Sequence, residues 1–533
     1  MPGCQVAHRP VGMIRERVSL TKAEFLEELK RDAGAVPPLY LQIPYASPHE
    51  LYPAFSGRGS ILFESVKGPE TIARHSFITF EPYACLLVKD GLMEIEWGGK
   101  RAISSKKDPL RRFSEIVGAY RQKPAPGLPP FQGGAAGLFC YDFARYLEAF
   151  PDESFCPPDE LGLPEACFFM ADRMLAFDHV QREAWGVVCP GARRPAFAFG
   201  YADQAGQSAD WPAEYDEALE ALERIFERAT GARPEGAAGP LIGGEIDIEH
   251  EMTERQYTEM VGRAKEYIAA GDIFQANLSL RVRARIGQAD PWGVYCLLRG
   301  INPSPFAAFM DFGDFHIAGS SPERLVKLEG GVVETRPIAG TRPRGKDAQE
   351  DLALRAELLL NEKEKAEHIM LIDLERNDIG RVARYGSVEV NEFMTTEDYS
   401  HVMHIVSNVR GRLADGKGMF DCLRATFPGG TITGVPKVRC MEIINELEPA
   451  RRGPYTGSAG YFGFSGAMDM NIIIRTFLIK EGTAYVQAGA GIVADSVAGR
   501  EYRESLKKAE ALLLALKLAG QKRNGRKTGR ARQ

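Results

Sequence analysis

The chain has no Cys-x-x-Cys pair, and its nine cysteines are scattered and odd in number. That count and spacing speak against a disulfide framework, so the thiols read as reduced, mostly buried filler. No stretch approaches the roughly 18 consecutive apolar residues that a membrane span needs. The opening residues, Met-Pro-Gly-Cys-Gln-Val-Ala-His-Arg-Pro, lack the apolar core of a signal peptide, so a cytoplasmic location is expected. A basic excess is missing too. The net charge is −6, which gives no whole-molecule attraction for nucleic acid. Nor is there an internal repeat or a His-Glu-x-x-His motif. What remains is a soluble globular composition on 533 residues, enough for two or more ordinary domains or one large domain with a satellite.

Punctuation divides the chain. Residues 231–245 (GARPEGAAGPLIGGE) form the best linker, lying between helical patterns at 213–228 and 253–270. A second loop falls at 121–134. We expect a strand-rich N-terminal domain over 1–236, a main domain over 246–518 and a basic, disordered tail over 519–533. Short strands are expected at 60–65, 75–80, 85–89 and 92–97, and again at 316–318, 325–328 and 485–487. Helices are expected at 351–373, 435–447 and 500–518. Strands beside long helices, without a clean βαβ alternation, indicate an α+β fold.

The chemistry-bearing residues are acidic and glycine-rich. Glu501 and Glu504 sit three residues apart, on one helix face, and Glu364 and Glu367 repeat the spacing. Solvated helix turns with Glu–Lys pairs explain either pair alone. Both together suit a hard divalent cation such as Mg2+, provided the fold unites them. The segment from Gln487 to Gly491 reads as a glycine turn whose N–H groups could hold a carboxylate. Its Gly489-Ala-Gly491 core mimics a dinucleotide fingerprint, but no βαβ unit opens there and Asp495 comes too soon for a ribose partner. Residues 429–437 resemble a phosphate loop with a displaced Lys437, and read as a glycine turn feeding a helix N-terminus, a place that favours an anion. His401 and His404, three apart, read as core histidines or proton-transfer groups rather than zinc ligands. Arg475, in an apolar strand pattern, needs a carboxylate partner, either structural or a substrate.

Several of these residues fall in an ordered series of motifs. They are Arg-Pro-Ile-Ala-Gly-Thr-Arg-Pro-Arg-Gly (336–345), Leu-Ile-Asp-Leu-Glu-Arg-Asn-Asp-Ile-Gly-Arg-Val (371–382), Phe-Pro-Gly-Gly-Thr (427–431) and Gln-Ala-Gly-Ala-Gly-Ile-Val-Ala-Asp-Ser (487–496). In that order they resemble the chorismate-utilising enzymes, above all component I of anthranilate synthase and of aminodeoxychorismate synthase. The likeness spans 253–518 and reaches the N-terminal half through 128–134. It implies two antiparallel sheets packed together and flanked by helices. It also implies that Glu364, Glu367, Glu501 and Glu504 surround a Mg2+ ion binding the ring carboxylate of chorismate. Thr431, Tyr455, Arg475, Gly489, Gly491 and Lys508 would contact the substrate. Glu323 would protonate the departing 4-hydroxyl, and His404 would sit over the ring. Chorismate is a dianion and hydroxide a poor leaving group, so a cation and a positioned acid suit the task.

The two activities differ at Ala339. Aminodeoxychorismate synthases of the familiar kind carry a lysine nucleophile there, and an alanine cannot attack. Ammonia should then add ortho to the carboxylate, and pyruvate loss should give anthranilate. The alternative product, 4-amino-4-deoxychorismate, is suggested by surface segments such as 290–292, 277–279, 305–309 and 452–455. Gln275 stands where isochorismate synthases use a lysine to activate water, and its amide cannot serve as that base. The sequence has no Gly-x-Cys-x-Gly amidotransferase turn, so a separate glutaminase subunit is implied as ammonia source. The family's effector motifs appear in altered form around Ser65, Pro305 and Phe306, leaving tryptophan or another effector open. A non-catalytic sensor of aromatic amino acids is the reading of another class, opposed by the presence of all four glutamates and Arg475.

Overall fold

A computed structural model describes residues 15–32, 34–105, 108–150, 157–194, 209–232, 246–398 and 402–521. Among these residues, two twelve-stranded antiparallel sheets form the frame. The first runs in space from Leu39–Ile43 through Glu183–Val188, Arg173–Asp178, His75–Thr79 and Ile61–Glu64, and then crosses to Phe306–Asp311. It continues through Phe315–Ser321, Thr476–Lys480, Thr483–Ile492 and Gln275–Arg285 to Ile248–His250, with Gly434–Val435 pairing the start of Gln275–Arg285. The second runs from Ile338–Pro343 through Val402–Arg412, Val332–Thr335, Arg324–Glu329, Met468–Ile472 and Ser458–Gly463, and then crosses to Gly134–Phe139. Ala166–Ala171, Ala84–Lys89, Leu92–Trp97 and Lys100–Ser105 complete it, while Glu389–Asp398 pairs Val402–Arg412.

Both sheets therefore join strands from the two sides of the expected linker. Phe63 faces Ala308 in one register and Gly137 faces Gly460 in the other. The expected separation at 236/246 is not a separation between sheets. The linker itself, apart from residues 231 and 232, and most of the expected tail lie outside the described residues.

Alternation fixes which face of each strand goes inward. Phe77, Ala176, Met310 and Ile317 of the first sheet meet Ala136, Leu138, Phe169 and Tyr461 of the second in one buried cluster. Ring pairs such as Phe77–Tyr461, 5.5 Å apart at 69°, lock the two faces. The outer faces are covered by helices, which is why a strand such as Ala166–Ala171 is buried throughout. The helix Glu254–Ala270 starts on a capping box between Thr253 and Gln256 and stops at left-handed Gly271. Among the described residues no helix is long and apolar enough to cross a membrane.

Two sequence expectations change. The helix expected over 351–373 is two helices, Ala348–Leu360 and Glu362–Gly380, because Asn361 turns extended and its side chain caps the N–H of Glu364 at 3.1 Å. The expected glycine turn is the end of strand Thr483–Ile492. Its glycines serve close packing: a Cβ on Gly489 would come 2.5 Å from the Leu278 carbonyl, and one on Gly491 would come 2.4 Å from the Gln275 amide nitrogen.

Candidate active site

Glu323 follows the strand Phe315–Ser321 and is pinned by backbone. Its carbonyl accepts from the Ile472 N–H at 3.0 Å, and the Ser321 hydroxyl donates to the Ile472 carbonyl at 2.5 Å. The side chain is buried and its Oε1 has no hydrogen-bond partner among the described residues. Burial raises its pKa to about 7, against the opposing pull of Thr431, the Ile338 N–H and the Lys508 charge. Thr431 sits on the single turn Gly430–Ile432, and its buried hydroxyl, though near enough to act on Glu323, makes no well-formed hydrogen bond among the described residues.

The same condition recurs nearby. Gln275 and Asn277 open the strand Gln275–Arg285, and the Gln275 Oε1 and the Asn277 Nδ2 are buried and make no hydrogen bond among the described residues. Asn277 lies opposite Gly491, and its N–H donates to the Thr433 carbonyl at 2.8 Å, which ties this strand to the Thr431 turn. Native interiors rarely leave such groups orphaned, and these four are available to a polar ligand or to water.

His404 stands opposite Thr341 across a bulge between Ala339 and Thr341. Its Nδ1 is 2.9 Å from the Thr341 hydroxyl and 3.2 Å from the Gly340 carbonyl. A carbonyl only accepts, so Nδ1 carries the proton and Nε2 the lone pair. Burial, aided by the Arg475 charge, depresses the imidazole to about 4, so the ring is neutral at physiological pH. Gly340 is left-handed at φ 63°, and a Cβ there would come 3.0 Å from the Glu364 carboxylate. Ala339 itself is buried in the strand Ile338–Pro343.

Arg475 is not in a strand, contrary to its apolar neighbourhood. It bridges Met468–Ile472 and Thr476–Lys480 with a left-handed φ of 53°. Such a backbone in a non-glycine residue stores roughly 1–3 kcal/mol and is typical of functional positions. Among the described residues no carboxylate pairs with its guanidinium, and burial lowers its pKa against the charges of Tyr455 and Glu504. Burial pushes the Tyr455 phenol up to about 12, against the pull of the Arg452 and Arg475 charges and of Asn277. Lys508 donates to the Gly489 carbonyl at 3.0 Å and pairs with Glu504 at 2.9 Å. Lys437 pairs with Asp378 at 2.7 Å.

The glutamate pairs are arranged otherwise than a metal cage. Glu364 and Glu367 occupy the first turns of Glu362–Gly380, Glu501 and Glu504 those of Ala498–Gln521. Glu364 pairs with Arg342 at 3.2 Å and Glu504 with Lys508. Among the described residues no three Asp, Glu, His or Cys side chains stand together as a metal requires. Carboxylates are the right donors for Mg2+, but their arrangement does not fit a preassembled site. His401 lies outside the described residues. Asn277 and Thr341 were not singled out from sequence. Both lie in motifs quoted above, but nothing in the motif distinguished them from their neighbours.

Ser65, Pro305 and Phe306 do come together, in a separate cavity of about 420 Å3. The Ser65 hydroxyl reaches the Pro305 carbonyl at 3.1 Å, and the Arg324 guanidinium lies 5.2 Å from the centre of the Phe306 ring. Arg324 directly follows Glu323, so this cavity and the acid share one segment of chain.

Residues 61–514 match the family described as chorismate binding enzyme. The chain is 44% identical over 466 residues to aminodeoxychorismate synthase component 1 of Bacillus subtilis (strain 168), covering 87% of this chain and 93% of that one. It is 42% identical over 504 residues to anthranilate synthase component 1 of Thermus thermophilus, covering 95% and 99%. The crystal structure of anthranilate synthase component I from Streptococcus pneumoniae TIGR4 superimposes with a TM-score of 0.69 at 35% identity, over 82% of this chain and 92% of that one.

Proposed function

Because the chain belongs to the chorismate-binding enzyme family, whose anthranilate and aminodeoxychorismate synthases it matches almost equally, we propose that it aminates chorismate and releases anthranilate. The observation that carries this choice is Ala339, a methyl group in the strand that supports His404, where a covalent route needs an amine. The two lysines beside the site, Lys437 and Lys508, are already ion-paired.

The steps follow from the side chains. Arg475 receives a substrate carboxylate, completing the ion pair the fold leaves open. Ammonia attacks the ring carbon ortho to the ring carboxylate, the double bonds shift, and the 4-hydroxyl leaves as water with the proton of Glu323. Neutral His404 offers Nε2 for the ring proton. The electron pair left behind aromatises the ring as the enolpyruvyl C–O bond breaks, and the released enol becomes pyruvate. Chorismate and ammonia thus give anthranilate, pyruvate and water. When bound, Mg2+ would offset the charge of a dianionic substrate. Holding it on the four glutamates requires Glu364 to leave Arg342 and Glu504 to leave Lys508.

Component 1 in the relatives' names suggests a second component, and a glutaminase supplying ammonia is the partner proposed here. The Ser65–Phe306 cavity suits an aromatic amino acid as effector. The second reading, 4-amino-4-deoxychorismate, is favoured by the 44% identity to the Bacillus subtilis protein. Product analysis from chorismate, ammonium chloride and Mg2+, with a lyase added to convert aminodeoxychorismate to para-aminobenzoate, separates them. Fluorescent anthranilate is expected, and Ala339→Lys should slow its formation. Para-aminobenzoate as main product refutes the choice, and no chorismate consumption favours a non-catalytic sensor.

A further inference from the structure

Behind the proposed acid stands a second buried carboxyl group that the steps above leave unused. Glu375, on the helix Glu362–Gly380, is only 4% exposed. Two of the segments that touch Glu323 also touch Glu375. The turn Gly430–Ile432 sets Thr431 beside Glu323 and presses Gly430 against the helix, where an added Cβ would come 2.0 Å from Leu374 and 3.8 Å from the Glu375 Oε1. The segment 335–338 sets the Thr335 hydroxyl on Glu375 and the Ile338 N–H on Glu323.

The remaining charged groups around Glu375 lead outward. Asp378, three residues on and so on the same helix face, takes the Lys437 ammonium at 2.7 Å, and that ammonium also donates to the Thr426 carbonyl at 3.1 Å. Asp378 in turn feels the charges of Arg381 and Glu148, and the Arg381 side chain is 51% exposed. A file of ionisable groups therefore runs from the acid, past Glu375 and the Asp378–Lys437 pair, to the surface. Burial and the neighbouring Asp378 and Glu323 charges raise the Glu375 pKa above the ordinary carboxylate range, while Lys437 and Thr335 pull it back. Neighbouring buried carboxyl groups resist ionising together, so a proton lost by one is readily replaced from the other.

We infer that Glu375 returns a proton to Glu323 between turnovers and is itself recharged from solvent past the Asp378–Lys437 pair. This rests on the reading of Glu323 as the acid. The balance closes. Glu323 gives its proton to the departing hydroxyl and becomes a carboxylate. Glu375 gives its proton to Glu323 across the Thr431 turn, and solvent reprotonates Glu375. The proton that solvent supplies is matched by the one shed when the newly bonded ammonia nitrogen becomes a neutral amine. Glu375 touches no reacting atom and acts only through Glu323.

The test is rapid-quench kinetics of the full chain with chorismate, ammonium chloride and Mg2+. In Glu375→Gln the first turnover should run at the parent rate, because Glu323 begins protonated. Every later turnover should be about a hundredfold slower or more, the lower end of what a positioned proton donor contributes. Glu375→Asp, which keeps an acid one methylene farther back, should recover part of the later rate. It also carries the same comparison of first and second turnover if the glutamine variant does not fold. Equal slowing of first and later turnovers would mean a structural role, and no slowing of either would mean no role; both overturn the inference. Glu323→Gln should abolish the first turnover. If it does not, the reading of Glu323 fails, and that result is distinct from any result at Glu375.

Discussion

Replacing Arg475 by methionine tests whether this arginine holds a ligand or the fold. Its guanidinium has no carboxylate partner among the described residues, its pKa is lowered by burial, and its backbone is left-handed at φ 53°. Methionine keeps much of the stem and removes the charge. An arginine that held the fold through ion pairs would cost about 3–5 kcal/mol when removed from a buried pair. Here there is no pair to break, so the protein should be no less stable, with a gain on the order of 1 kcal/mol from relieved desolvation. Ligand binding should move the other way. A hydrogen bond to a charged group is worth about 1.5–3 kcal/mol, so losing one weakens chorismate binding by roughly 10- to 150-fold, and losing a bidentate pair by more. Equilibrium titration with chorismate in the absence of ammonia gives the Kd, and thermal unfolding gives the stability. A Tm several degrees lower with an unchanged Kd would refute the assignment.

The remaining predictions concern the acid, the metal and the nitrogen source. With the Glu323 pKa near 7, turnover at fixed free ammonia should fall about tenfold per pH unit above that value, because the protonated form is the donor. The same shift has a stability sign: the folded state holds the proton between 4.5 and about 7, so Glu323 favours folding at low pH, and that contribution fades as pH rises through the window. Urea melts of Glu323→Gln against the parent across this range should therefore lose part of the decline, and parallel curves would contradict the shift. EDTA, or Glu504→Gln, should cut turnover by roughly a hundredfold with the fold intact by circular dichroism, and unchanged turnover would remove Mg2+ from the scheme. The purified chain should work with ammonium salts and not with glutamine, and glutamine-driven turnover by the chain alone would remove the glutaminase partner.

Local patterns were legible where they met local physics. The alternating Leu92–Trp97 is a strand with the expected bounds, and Thr253 with Gln256 is a capping box at the expected helix start. Sheet membership was not legible, because cross-strand partners are selected by packing. Nothing in Phe63 or Gly137 announces Ala308 or Gly460 opposite them. Gly489 and Gly491 misled because a glycine needed for close strand approach looks in sequence like a glycine needed for a turn. Arg475 misled in the opposite sense, since an apolar run suggests a strand and conceals a left-handed corner. The break at Asn361 was hidden by helical periodicity on both sides, although it fixes where Glu364 points its N–H. Spacing placed each glutamate pair on one helix face but could not say whether the two helices bring them together.

The choice of product and the choice of nitrogen species are linked through one strand. In Ile338–Pro343 the bulge turns the Gly340 carbonyl and the Thr341 hydroxyl to His404, and the absence of a Cβ at Gly340 admits Glu364. Burial holds His404 neutral against the pull of the Gly340 carbonyl, and the charge that adds to burial is the cation of Arg475. A buried site disfavours a second cation through desolvation, and until substrate pairs with Arg475 through repulsion as well. Ammonium is excluded on those terms and neutral ammonia is not. The same terms would lower the pKa of an amine introduced by Ala339→Lys, leaving it neutral and nucleophilic. The electrostatics of the site thus suit attack by an amine from either source, and what distinguishes this chain is that residue 339 supplies none. On the proposed reaction ammonia is the nucleophile, so between pH values, once the Glu323 titration is divided out, the rate should follow free ammonia rather than total ammonium. A rate that tracked total ammonium would mean that the cation enters the buried site, and that desolvation does not exclude it.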